Sequence, residues 1–136
     1  MTNTEQIEYS VACFQQGDLE AVLGLMAENV DFRPSGPAEL LPWARPRYGR
    51  AEVAQYFNDL LEAVDYESFE AEKFLADGDE VVVLGRARMR LKATDRVFDT
   101  DWTLRFELND GQVVRYRDVW DTGAALEAFG LVRRGD

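Results

Sequence analysis

Two stretches in the second half of the chain alternate residue by residue, and that alternation limits the fold more than any other feature. Residues 80–92 set Val81, Val83, Gly85, Ala87, Met89 and Leu91 against Val82, Leu84, Arg86, Arg88, Arg90 and Lys92. Residues 97–108 set Phe98, Thr100, Trp102, Leu104, Phe106 and Leu108 against Val97, Asp99, Asp101, Thr103, Arg105 and Glu107. Successive side chains on a strand point to opposite faces, so each stretch reads as a strand with one polar and one mostly apolar face. Antiparallel sheets covered on one side have this pattern. Residues 66–76 read as a further strand ending at "DGD" (77–79), and "RYRDVWDT" (115–122) as part of the last.

The first half follows another period. Ile7, Val11 and Phe14 recur at helical spacing before "QQGD" breaks the chain, and Asp18 can cap a second helix that buries Leu19, Val22, Leu23 and Met26. Val53, Tyr56, Phe57, Leu60, Leu61 and Val64 follow an i, i+3, i+4, i+7, i+8, i+11 stripe, the mark of a third helix. Between them "NVDFRP" reads as a short strand closed by Pro34. Residues 35–49 read as a long irregular loop broken at Pro37, Pro42 and Pro46. A short helix over about 122–129 closes the chain. The class expected is α+β, as one domain over residues 1–136.

Turns let the hairpins be registered. A two-residue turn at Thr94-Asp95 places Arg90 opposite Asp99, Arg88 opposite Asp101, Leu91 opposite Phe98 and Val83 opposite Phe106, so charges meet opposite charges. For the next hairpin a two-residue turn at Asp110-Gly111 would oppose Phe106 to Arg115 and Leu104 to Arg117. A three-residue loop with Gly111 left-handed is preferred. It sets Leu108 opposite Val114, Phe106 opposite Tyr116, Glu107 opposite Arg115, Leu104 opposite Asp118 and Trp102 opposite Trp120, at the expense of one like-charged pair, Arg105 with Arg117. Across three strands these registers give two rows on the covered face, Gly85–Leu104–Asp118 and Ala87–Trp102–Trp120. The small residues Gly85 and Ala87 leave room there.

Asp118 is the candidate working group. In a strand it shares a face with Tyr116 and Trp120, so it looks into an aromatic-walled hollow between sheet and helices. Desolvation there raises a carboxyl pKa and suits the group to general acid–base work near neutral pH. The alternative is a structural Asp118 at a wet mouth, or bonded to the backbone amides of a neighbouring loop. Tyr116, Trp102, Trp120, Leu104 and Phe32 form the expected wall, with Trp43 over the entrance. Tyr56, like Tyr9, sits on a helix as a possible donor. Asp121 is expected to cap the last helix, and Asp99 and Asp101 to join Arg88 and Arg90 in a solvated or interface ladder.

Composition removes several classes. Histidine is absent, which excludes Ser-His-Asp and Cys-His catalysis and disfavours zinc. Cys13 is alone, so no internal disulfide forms. The net charge is −11, its acid excess lies in the first 80 residues, and no basic stripe exists to bind nucleic acid or an anionic membrane. No run of about 18 apolar residues and no basic-then-apolar leader is present, so a cytoplasmic protein is expected.

The segments "QQGDLEAVLGLMAENVDFRPSGP", "RYGRAEVAQYF" and "LNDGQVVRYRDVWDT" resemble the nuclear transport factor 2-like superfamily over almost the whole chain. The nearest branch is the SnoaL-like one, beside ketosteroid isomerases and limonene epoxide hydrolases. The resemblance implies a cone-shaped curved antiparallel, or mixed, sheet wrapped on three N-terminal helices, a cystatin-like α+β barrel around an apolar pocket, as a homodimer. The first Asp of the limonene epoxide hydrolase "RDYFD" segment matches Asp118, but its partner Arg and second Asp fall at Gly85 and Ala87. The ketosteroid isomerase base falls near Arg33 or Pro34 and its tyrosine near Ser10, with Tyr9 one position off. Neither site set is intact.

Two functions follow. One is a cofactor-independent isomerase, cyclase or hydratase that uses Asp118 for proton transfer on an apolar carbonyl compound. The other is a non-catalytic binding module for a small lipophilic ligand, or a dimeric accessory protein whose charged outer face, with Arg86, Arg88, Arg90, Asp99 and Asp101, carries the role.

Overall fold

A computed structural model describes residues 1–133. Helix α1 spans Asn3–Gln15, opened by a capping box in which the Thr2 hydroxyl accepts from the Glu5 N–H and the Glu5 carboxylate accepts from the Thr2 N–H. Gly17, at φ 78°, ends it. Asp18 then caps α2 (Leu19–Gly24) through the Ala21 N–H. Strand β1 covers Met26–Arg33, so Met26 belongs to the sheet rather than to the second helix. Strand β2 is only Arg47–Tyr48 and interrupts the expected loop. Helix α3 (Arg50–Ala63) runs directly into β3 (Val64–Asp77). Strands β4 (Glu80–Leu91), β5 (Val97–Asn109) and β6 (Gln112–Trp120) follow, and α4 (Thr122–Ala128) is capped by Asp121 through the Ala124 N–H.

The strands form one curved mixed sheet in the order β2-β1-β6-β5-β4-β3, antiparallel except where β1 runs parallel to β6. It does not close into a barrel; β2 and β3 are free edges. Helices α1–α3 cover the concave face, and Ile7, Val30, Phe32, Val53, Val64, Val81 and Val83 form a core with almost no exposure.

The β4–β5 register differs from the expected one by two residues. Arg88 faces Asp99, Arg86 faces Asp101, Met89 faces Phe98 and Val81 faces Phe106. The connection is not a tight turn at Thr94-Asp95 but a loop over residues 92–96, with Asp95 at φ 59° and its N–H bonded to the Leu91 carbonyl. Arg90 instead pairs with Asp65 and Asp95.

The β5–β6 register is as expected from Trp102–Trp120 through Glu107–Arg115. Beyond it Leu108 faces Val113, not Val114, because the connection is the two-residue Asp110-Gly111 turn after all. Both turn residues have positive φ, 50° and 77°, the geometry that matches strand twist in tight hairpins. A bulge between Glu107 and Leu108 restores the register beyond it. The like-charged Arg105 and Arg117 do stand opposite one another, and each turns to a carboxylate, Glu80 and Asp31 respectively.

The corrected registers change the rows behind the site. They run Val83–Leu104–Asp118 and Gly85–Trp102–Trp120.

Candidate functional site

Sheet and helices border a cavity of about 90 Å³. One water needs about 10–15 Å³ on this measure, so the space holds several waters or a compact organic group. The wall is aromatic: Phe14, Phe32, Trp43, Tyr56, Phe57, Tyr66, Phe69, Trp102, Phe106, Tyr116 and Trp120 all contribute, with Ala87, Leu104 and Met89 between them. Among the described residues Asp118 is the only Asp, Glu, Lys or Arg in this lining.

Strand β6 delivers Asp118 and Tyr116 to the same face, two residues apart, and the carboxylate is 7% exposed. Its Oδ2 accepts from the Tyr116 hydroxyl at 2.8 Å. Its Oδ1 accepts from the Ser35 N–H at 2.9 Å and the Ser35 hydroxyl at 2.7 Å. Burial drives the carboxyl pKa above its ordinary 3.8, and the bonds from Ser35 and Tyr116, with a smaller effect from the nearby Trp120 indole, moderate the rise by favouring the charged form. The hollow and the loop-amide alternatives are therefore both realised: the side chain lines the cavity and also ties down the loop after Pro34.

Three phenols surround this carboxylate. Burial first, and the Asp118 charge second, push the Tyr56, Tyr66 and Tyr116 phenols up, so all three remain donors at neutral pH. Arg47 acts the other way on Tyr56, from 5.8 Å over its ring. Among the described residues the Tyr56 and Tyr66 hydroxyls have no hydrogen-bond partner. The buried indole N–H groups of Trp43 and Trp102 also have none. An unmet buried donor costs about 1–3 kcal/mol. The two indoles bear that cost, and with the two phenols beside them they describe a site short of acceptor oxygens.

Most of the expected wall is found here: Phe32, Trp43, Tyr56, Ala87, Trp102, Leu104, Tyr116 and Trp120 all border the cavity with Asp118. Gly85 does not. It stands opposite Trp102, whose ring lies across it; a Cβ there would sit 2.3 Å from the indole Cζ2 and 2.1 Å from the Glu70 carbonyl. The missing side chain makes room for Trp102, not for a ligand. Trp43 does not cap an opening either. It is 1% exposed and packs against Trp120 and Phe129, with ring centroids 6.0 and 6.1 Å away. Tyr9 is 45% exposed and lies outside the cavity.

Sequence reasoning missed Ser10, Ser35, Tyr66 and Phe69. The last two are three residues apart, yet face the same way because a bulge between Tyr66 and Ser68 resets the alternation; Tyr66 pairs with Met89 and Phe69 with Ala87. The inward-facing partners on β4 are the signal that would have found them. Among the described residues no group of three or more acidic or cysteine side chains is placed to hold a metal.

Comparisons with known proteins agree with this architecture. YesE of Bacillus subtilis (strain 168) is 25% identical over 132 residues, 93% of this chain and 86% of that protein. The crystal structure of a nuclear transport factor 2-like protein from Burkholderia xenovorans LB400 superposes with a TM-score of 0.81 at 29% identity, over 93% of this chain and 94% of that one. TerC, co-crystallised with polyporic acid, superposes with a TM-score of 0.83 at 22% identity, over 94% and 98% of the two chains. The family model for the SnoaL-like domain matches residues 7–116. The chain belongs to the SnoaL-like domain family, within the nuclear transport factor 2-like superfamily.

Proposed function

We propose that the protein is a cofactor-independent enzyme that moves a proton on an apolar carbonyl compound, in an isomerisation, cyclisation or hydration, with Asp118 as the acid–base group. One observation carries this reading: a single carboxylate with a raised pKa borders an aromatic cavity that also holds unpartnered donors. Burial strengthens Asp118 as a base toward a carbon acid. Ser35 anchors Oδ1, which leaves Oδ2, with the Tyr116 hydroxyl on it, as the oxygen that takes and returns the proton. The negative charge that develops on the carbonyl oxygen needs donors already in place. Tyr56, Tyr66 and the two indoles supply them.

The test is hydrogen exchange in D2O. Small cyclic and aryl ketones are incubated with the protein, and deuterium uptake beside the carbonyl is followed by proton NMR. Enzyme-dependent uptake, lost by about 10²–10⁴-fold in Asp118→Asn, is expected. A ketone that binds in the cavity without exchanging, or an Asn variant that exchanges at the parent rate, overturns the reading.

A second reading has its own observation. Ser35, Tyr116 and Trp120 all engage Asp118, and a carboxylate so well satisfied also serves as a purely structural tie. The protein is then a binding module for a lipophilic ligand, a role consistent with TerC, of the same fold, being co-crystallised with polyporic acid. Under this reading Asp118→Asn leaves ligand binding intact and there is no turnover to lose.

A further inference from the structure

Two concavities of the molecule meet at three aromatic rings. One is the cavity of Asp118. The other is an open groove of about 530 Å³ where the end of α1 passes the start of β3, lined by Gln15, Leu19, Leu61, Asp65, Glu67 and Ser68 among others. Phe14, Tyr66 and Phe69 line both. The three rings pack edge to face, with centroids 5.0 to 5.6 Å apart, and each is half-buried.

This partition lies where the fold can yield. Strand β3 is an edge, bonded to a neighbour on one side only, and one of its two bulges falls between Tyr66 and Ser68. Side-chain rotation of the three rings would open a path without parting any strand pair. A third concavity touches the cavity through Ala87 and Thr100. Those two face each other across β4 and β5, so a path there would have to break the ladder between paired strands. At the ring partition one tie crosses from helix to strand, the Gln15 amide donating to the Phe69 carbonyl at 2.8 Å.

The lining also selects by charge. Among the described residues no Lys or Arg borders either the groove or the cavity. The rim carboxylates Asp65 and Glu67 are themselves held by Arg90, Lys92 and Arg88. Past that rim an anion would be desolvated beside Asp118 with no counter-charge lining its path.

We propose that ligands reach Asp118 from this groove, between Phe14, Tyr66 and Phe69, and that the route admits uncharged molecules and rejects anions. The proposal rests on the cavity being the binding site, but it requires no catalysis.

The experiment places a reporter thiol in the cavity. In a Cys13→Ala background, Ser10→Cys puts a thiol at a buried cavity position. Its labelling by neutral methyl methanethiosulfonate and by the anionic sulfonatoethyl reagent is timed by intact mass, each rate divided by that of a free thiol. Ser68→Trp and, independently, Glu67→Trp then fill the groove at positions that do not line the cavity. The neutral reagent is expected to label faster than the protein globally unfolds. The anionic reagent should be at least tenfold slower, and either tryptophan should slow the neutral reagent at least tenfold. Labelling no faster than unfolding, equal normalised rates for the two reagents, or rates untouched by both plugs overturns the proposal. Failure of ketone exchange in D2O would leave these rates unchanged, so the two readings fail separately.

Discussion

The backbone N–H and the hydroxyl of Ser35 both donate to Oδ1 of Asp118, at 2.9 and 2.7 Å, across 83 residues of chain. Burial disfavours the Asp118 carboxylate, and this pair of donors is the largest force holding it in its charged form. Ser35→Ala removes the hydroxyl and keeps the N–H. The Asp118 pKa should then rise further, read from its carboxyl carbon by NMR across pH, with Asp118→Asn assigning the signal. An unchanged or lower value would mean that water, not Ser35, solvates this oxygen.

Because folding raises the Asp118 pKa, the folded chain binds that proton more tightly than the unfolded one. Stability from this group is therefore greatest below 3.8, falls as pH rises from 3.8 through the folded value, and is level above it. Asp118→Asn keeps the shape of the side chain and removes the titration. Relative to the parent, the stability of the variant should rise across that window and stay level above it, up to pH 7 and beyond. Urea unfolding of both proteins at a series of pH values from 3 to 8 checks the sign. A difference that grows as pH falls would contradict it.

The faces of the sheet were legible from alternation, but the registers were only partly so. In β5–β6, a one-residue slip would have set Phe106 against Arg115, so hydrophobic pairing alone excluded it. In β4–β5 the candidate registers differ by two residues, and a shift of two keeps every side chain on its own face. Arg88 meets an aspartate either way, Asp101 or Asp99, and only the length of the connecting loop decides. That slip placed Gly85 beside Leu104 and made a filled position look empty. The Ser35 contact had no sequence signal, since a proline-rich loop has no period to follow. Tyr66 was hidden by the bulge that breaks the alternation of β3.

The true environment of Gly85 gives a direct test. A methyl group there meets the Trp102 ring and the Glu70 carbonyl well inside contact distance. Backbone cannot yield easily, and Trp102 is already stacked on Phe69, with centroids 4.5 Å apart. Gly85→Ala should cost about 1–3 kcal/mol or more in urea unfolding, the usual range for an overpacked core. The near-ultraviolet dichroism of the tryptophans should change with it. Had Gly85 opened onto free space in the cavity, alanine would be tolerated at little cost.

Arg47 holds the loop that carries Trp43, and it does so from complete burial. Its Nε donates to the Arg45 carbonyl at 3.0 Å, and its Nη2 donates to the Trp43 carbonyl at 3.3 Å and to Asp59 at 2.8 Å. Among the described residues its Nη1 has no hydrogen-bond partner. Removing one member of a buried ion pair usually costs about 3–5 kcal/mol. The Asp59 side chain is 34% exposed, so water can recover part of that loss and the cost of Arg47→Ala should fall toward the lower end. Arg47→Lys should rescue little, because a single ammonium cannot span the two carbonyls and the carboxylate as a planar fork does. Both variants should also weaken the Trp43–Trp120 stack, visible as a loss of near-ultraviolet dichroism at temperatures well below unfolding. If Arg47→Lys keeps both the stability and that signal, charge alone holds the loop and the fork geometry is dispensable.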